Sequence, residues 1–219
     1  MRVTILATVL LLGGCGGLSY QVDRDLLLEV SVENKLLLFE AENEVSIAID
    51  ELEQISRQIQ KVKQQISSVN SQRNAAEADY ERADSKEDEK AMQIAKTSAD
   101  ILELKKDFLE ARVSLFEEKL KAQDGLVRVA FAKYELAKAK LVKKNNVRGA
   151  DKIDLADYEA QVDEVVAVAR EEQQAINETE KEVETLRKQW LDSRNQLEQT
   201  SGGGAASPWA DDAMAWGEP

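Results

Sequence analysis

The sequence predicts an all-α protein: an elongated antiparallel coiled coil of three long helices, followed by a disordered C-terminal tail. Three observations predict it. Aromatics make up only 5% of the 219 residues and charged residues 32%, while Ala, Glu, Lys, Leu, Gln and Arg dominate the middle. That bias belongs to long amphipathic helices rather than to a thick globular core. Apolar residues recur at spacings of three and four through three long stretches, the pattern of a coiled-coil seam. The only prolines, Pro208 and Pro219, lie beyond all three.

The chain divides into a leader (1–14), a short segment (15–21), a helical body (22–200) and a tail (201–219). Met1-Arg2 is a short basic start, and Val3–Leu12 an apolar run of ten residues. A transmembrane helix needs about 20 apolar residues, so this run reads as the hydrophobic region of a signal peptide. Gly13 and Gly14 are the small residues a signal peptidase requires, and Cys15, the only cysteine, stands at the cut. Leu12-Gly13-Gly14-Cys15 resembles the lipobox of bacterial lipoproteins, the recognition site of lipoprotein signal peptidase. The resemblance implies acylation of Cys15, cleavage before it, and a membrane-held mature protein. It also implies outer-membrane placement facing the periplasm, because Gly16 rather than Asp follows the cysteine. Two or more acyl chains hold a protein stably where one does so only marginally. Gly16 and Gly17 give the anchored end some freedom.

The body reads as helix from about Val22. Leu26-Leu27-Leu28, Val30, Val32 and Leu36-Leu37-Leu38 are clustered apolar residues. A small β-hairpin turning at Glu33-Asn34-Lys35 is the minor alternative there. The first clear seam is Val45, Ala48, Leu52, Ile55, Ile59, Val62, Ile66 and Val69, continuing through Arg73, Ala76, Tyr80 and Ala83. Residues 84–90 are polar and carry no Gly or Pro, so a turn or a continuous helix both remain open. Two overlapping frames follow, one through Ile94, Ile101, Leu104 and Phe108, the other through Leu109, Val113, Phe116, Leu120, Val127, Ala130, Tyr134, Ala137 and Leu141. Their overlap widens the apolar face and predicts more than one packing partner. Gly125 within this stretch weakens the helix by about 1 kcal/mol relative to Ala.

Lys143–Gly149 predicts a break, with Asp151 or Asp154 capping the next helix. That helix has the cleanest seam: Leu155, Tyr158, Val162, Val165, Ala169, Ile176, Val183, Leu186, Trp190 and Leu197. Glu172, Thr179 and Ser193 occupy seam positions and weaken it locally. Comparable lengths predict Val22–Ala83, Glu89–Lys144 and Asp151–Gln199 as three folded-back helices of roughly 75–90 Å each. One long helix through 22–144 is the alternative. Leu141–Asn146, Gly149, Asp154 and Gln161 are weakly similar to the helical repeats of TolC-like channels. The likeness covers under a tenth of the chain and implies no channel.

The tail opens with a Gly/Ser/Ala-rich linker and ends in an acidic segment holding Trp209, Asp211, Asp212 and Trp216. Large aromatic anchors flanked by carboxylates are candidates for docking to a partner.

Several function classes fall away. A net charge of −13 opposes nucleic-acid binding. With no histidine and one cysteine, the usual general base and the usual metal-ligand sets are missing. No phosphate-binding loop or dinucleotide motif occurs. Paired carboxylates such as Asp84/Asp88 and Glu171/Glu172 read as solvated surface. The expectation is a non-enzymatic envelope lipoprotein without cofactor or metal. It would act as a scaffold or spacer, or as the accessory binding subunit of a trans-envelope transport, secretion or motility complex. Its expected partners are the membrane through its lipid, envelope proteins, and a second copy through the coiled coil.

Overall fold

The computed structural model describes residues 17–200, and these are all-helical, with no strand among them. Helices α1 (Arg24–Leu28) and α2 (Val32–Lys35) are short, and a 3₁₀ turn (Leu36–Leu38) follows. Three long helices come next: α3 (Phe39–Asp84), α4 (Glu89–Lys144) and α5 (Leu155–Thr200). A second 3₁₀ turn spans Ala150–Lys152. The leader, Cys15 and the whole tail lie outside the described residues.

The stretch expected to be one helix from Val22 is instead broken before Phe39. Local side chains account for the breaks. The Asp25 amide donates to Asp23 Oδ1 at 2.9 Å, and the Asn34 amide to Ser31 Oγ. Such caps offer the backbone an alternative to continuing the helix. The β-hairpin alternative does not form either: Glu33-Asn34-Lys35 lies within α2.

Residues 85–88 form a turn, which decides against one helix through 22–144. The Asp88 amide donates to Ala83 O and the Glu87 amide to Asp84 O, while Glu87 takes φ 55°. This six-to-one and five-to-two pair is a Schellman stop, built here on a left-handed glutamate rather than glycine. Asp88 then caps α4 by accepting from the Ala91 amide at 3.0 Å. The second break repeats the motif: the Val147 amide donates to Val142 O, the Asn146 amide to Lys143 O, and Asn146 has φ 51°. Gly149 has φ 95°, which a residue with a side chain rarely adopts. Asp154 caps α5 through the Ala156 amide at 3.0 Å.

The contacts divide the described chain into two units. The first comprises 17–59 with 116–177. Its core joins Val45, Ala48 and Leu52 of α3 to Val127 and Ala130 of α4. A second cluster joins Val22, Val30 and Leu38 to Ala139, Leu141, Val142, Val147, Ile153 and Tyr158. Gln123 donates to Ala48 O and Glu51, the Tyr134 hydroxyl donates to Glu42 at 2.6 Å, and Lys140 pairs with Glu159. In this unit α4 therefore meets both α3 and α5. At Gly125 α4 lies close against α5: a Cβ there would stand 2.5 Å from Glu172 Oε2 and 3.4 Å from Ala169. Glu172 pairs instead with Lys121 and Arg128, at 3.8 and 3.7 Å. Its seam position is thus occupied by a carboxylate that reaches out to two cations.

The second unit comprises 60–115 with 178–200. Val62, Val69, Ala76 and Ala83 of α3 are buried, as are Ala95, Ile101, Leu102, Phe108 and Leu109 of α4. Trp190 is buried and stacks on Phe108 with ring centroids 5.7 Å apart. Lys105 Nζ lies 5.5 Å from the Trp190 ring centre, close enough for a cation–π contact. Arg73 and Lys106 both donate to Glu103, the latter at 2.9 Å. Those hydrogen bonds, from Lys106 first and then Arg73, hold the Glu103 carboxyl below its ordinary range. Burial, and then the neighbouring Arg187, lowers Arg112. Tyr80 and Ile94, both expected on a seam, are exposed instead.

Candidate functional site

Every residue the sequence singles out as a site lies outside the described residues. These are Leu12, Gly13, Gly14 and Cys15 at the front, and Trp209, Asp211, Asp212 and Trp216 at the back. What the structure does describe is the chain directly behind Cys15 and the surface it sits on.

That chain is irregular from Gly17 to Asp23 and is fastened by buried polar groups. Gln161 is 6% exposed and clamps Tyr20 from both sides of its amide. Its Oε1 accepts from the Tyr20 amide at 2.8 Å, and its Nε2 donates to Tyr20 O at 3.0 Å. A single side-chain amide thereby satisfies both the donor and the acceptor of one backbone residue. Two residues on, the Val22 amide donates to Glu135 Oε2 at 2.8 Å. Glu135 is also buried, and Lys138 Nζ donates to its other oxygen at 2.6 Å. Both lone-pair sets of a buried carboxylate are thus engaged, which a charge in that setting requires.

Aromatic packing completes the attachment. The Tyr20 and Tyr158 rings lie 5.8 Å apart and tilted. Burial, followed by the Glu135 and Asp157 carboxylates, raises the Tyr158 hydroxyl above its ordinary range. Burial and the Glu42 carboxylate push Tyr134 up further. Tyr134 therefore remains a neutral donor to Glu42.

Further along, Asn34 donates to the side chain of Asn145, tying α2 to the turn after α4. Leu26 approaches Gly149, where its Cδ2 would stand 3.5 Å from an added Cβ. Of the residues that carry the TolC-like similarity, Asp154 and Gln161 serve this local architecture as cap and clamp. Glu135 was not singled out by the sequence. Its position directly after seam residue Tyr134 is one where a heptad ordinarily carries charge, so no local signal marks it.

The segment from Leu28 to Phe39 is the other unusual feature of this unit. Val30 and Leu38 are turned inward at 3% and 5% exposure. Leu28, Val32, Leu36, Leu37 and Phe39 are 60–72% exposed.

Among the described residues, no group of His, Cys, Asp or Glu side chains is arranged to hold a metal ion. No helix of the described residues is long and apolar enough to cross a membrane. Compared with protein-family models, curated proteins and solved structures, the chain matches none.

Proposed function

We propose that this protein is a non-enzymatic bacterial lipoprotein, anchored through acylated Cys15, that acts as a scaffold or spacer in the cell envelope. The observation that carries the reading is Leu12-Gly13-Gly14-Cys15 at the end of a ten-residue apolar run, directly ahead of a long helical body. The all-helical chain behind it supports a structural role. So does the fastening of Tyr20 and Val22, which would transmit position from an anchor to the body within five to seven residues of Cys15. Gly16 favours the outer membrane, facing the periplasm.

The fold we propose is an elongated, antiparallel, three-helix coiled coil. Its support is the order of contacts. In the first unit Glu42, Glu44 and Glu51 of α3 meet Tyr134, Lys133 and Gln123 of α4, one series rising as the other falls. Glu159 and Glu172 of α5 likewise meet Lys140 and Arg128. In the second unit Arg73 meets Glu103.

The tail favours a second reading, an accessory binding subunit of a trans-envelope transport, secretion or motility complex. A pure spacer has no use for Trp209 and Trp216 flanked by Asp211 and Asp212. Affinity purification of the intact protein beside a form ending at residue 200 separates the two. A spacer retains all its co-purified proteins without the tail, whereas a docking subunit loses them. For the anchor, Cys15→Ser should move the protein out of the membrane-lipoprotein fraction, and unchanged acylation would overturn the reading.

A further inference from the structure

We propose that the outward face of residues 28–39 is a membrane-contact surface, seated in the interfacial layer of the bilayer that holds Cys15. The proposal rests on the lipoprotein reading and adds a second, non-covalent contact to it.

The argument begins with how many apolar side chains this short stretch carries. Leu26 and Leu27 pack against the core, and Val30 and Leu38 enter it. That leaves Leu28, Val32, Leu36, Leu37 and Phe39 with no place inside, each at least 60% exposed. Single exposed leucines are ordinary on a protein surface, but five large apolar side chains within twelve residues mark an interaction surface. The backbone beneath them is fixed by the inward residues and by the Asn34–Asn145 contact. The five are therefore held outward.

Three observations favour a bilayer as the occupant. First, Cys15 is two residues before Gly17, a reach of about 7 Å. Tyr20 and Val22 are pinned to the same unit that carries the surface, so an acylated Cys15 would keep this unit at the membrane. Tethering converts the second contact into an intramolecular one, and weak interfacial affinity then suffices. Second, the side chains are aliphatic or phenyl, with no hydroxyl or amide among the five to demand a matched protein partner. Third, the surrounding charges are acidic: Asp25, Glu29, Glu33, Glu40 and Glu42 against Arg24 and Lys35. A second copy of a chain carrying −13 would bring the same charges face to face. The same balance sets a preference for zwitterionic over anionic lipid.

The test uses the intact, acylated protein in excess phosphatidylcholine/phosphatidylethanolamine vesicles that carry nitroxide-labelled lipids. Acylation blocks the native thiol, so Leu37→Cys gives one site for an environment-sensitive fluorophore, and Lys188→Cys gives the comparison. Position 37 is exposed, so the fold should tolerate the label, and circular dichroism checks helix content. The expected result is a blue-shifted emission at position 37 and at least threefold stronger nitroxide quenching than at position 188. Replacing part of the lipid by phosphatidylglycerol should reduce the difference. Equal quenching at both positions, with acyl mass present on Cys15, would overturn the contact surface and leave the anchor standing. Quenching at position 37 with no acyl mass on Cys15 would do the reverse. Protection of position 37 without quenching, accompanied by crosslinks between copies, would overturn the proposal in favour of self-association.

Discussion

Replacing Glu135 by alanine should release the chain behind Cys15 from the helical body. The side chain accepts from the Val22 amide at 2.8 Å and from Lys138 Nζ at 2.6 Å, and it is buried. A hydrogen bond to a charged group contributes about 1.5–3 kcal/mol, and losing it leaves the Val22 amide buried without its acceptor. The pair with Lys138 lies within α4 and persists when the segment opens, so it cancels, and the local loss is about 1.5–3 kcal/mol. The assay is amide hydrogen exchange at Val22, which reports opening of this segment separately from global unfolding. Exchange should accelerate by about 10- to 150-fold. Glu135→Gln, which keeps a neutral acceptor, should lose about half as much free energy. If Val22 exchanges at the same rate in the alanine variant, the segment is held by Gln161 and Tyr158 alone and the reasoning about Glu135 is wrong.

Three further outcomes are expected. Glu87→Gly should raise stability by about 0.5–1 kcal/mol in urea denaturation, because Glu87 sits at φ 55° where a side chain is strained; a loss would mean that the left-handed turn is not the stable form. Trp190→Ala should lower stability by about 3–5 kcal/mol, since the ring is 4% exposed and stacked on Phe108, and a loss below about 1 kcal/mol would mean that the stack is loose. Glu103 has a carboxyl held low by Lys106 and Arg73, so its contribution is present above the ordinary glutamate range and is lost as pH falls through the depressed value. Acid titration of Glu103→Gln should therefore show a shallower decline of stability than the parent protein, and an identical decline would remove this group from the pH dependence.

Much of the helical organisation was legible from residue spacing. Val45, Ala48, Leu52, Ile59, Val62, Val69, Ala76 and Ala83 lie on the seam their spacing predicts, and all are buried. The wide apolar face between residues 101 and 116 is explained by α4 carrying Arg73 contacts and Trp190 contacts at once. The turn at 85–88 was only half legible. It rests on the left-handed conformation of a glutamate, and no residue type announces that. The break before Phe39 is hidden because the heptads that follow can be extended back through it, whereas the caps at Asp23 and Ser31 interrupt the helix. Gly125 was read as a weak point, whereas its missing side chain makes room for Glu172. The site residues that the motifs single out lie outside the described residues, and the buried clamps behind them had no motif. Gln161 and Glu135 meet Tyr20 and Val22 across more than a hundred residues of chain, a pairing no local pattern encodes.

The central claim is that Cys15 is the mature, acylated N-terminus. Mass spectrometry of the protein purified from bacterial membranes addresses it directly. The account predicts an N-terminal peptide beginning at Cys15 and carrying the mass of a diacylglycerol group together with an amide-linked acyl chain. A peptide that retains residues 1–14, or that begins elsewhere with Cys15 unmodified, would contradict it.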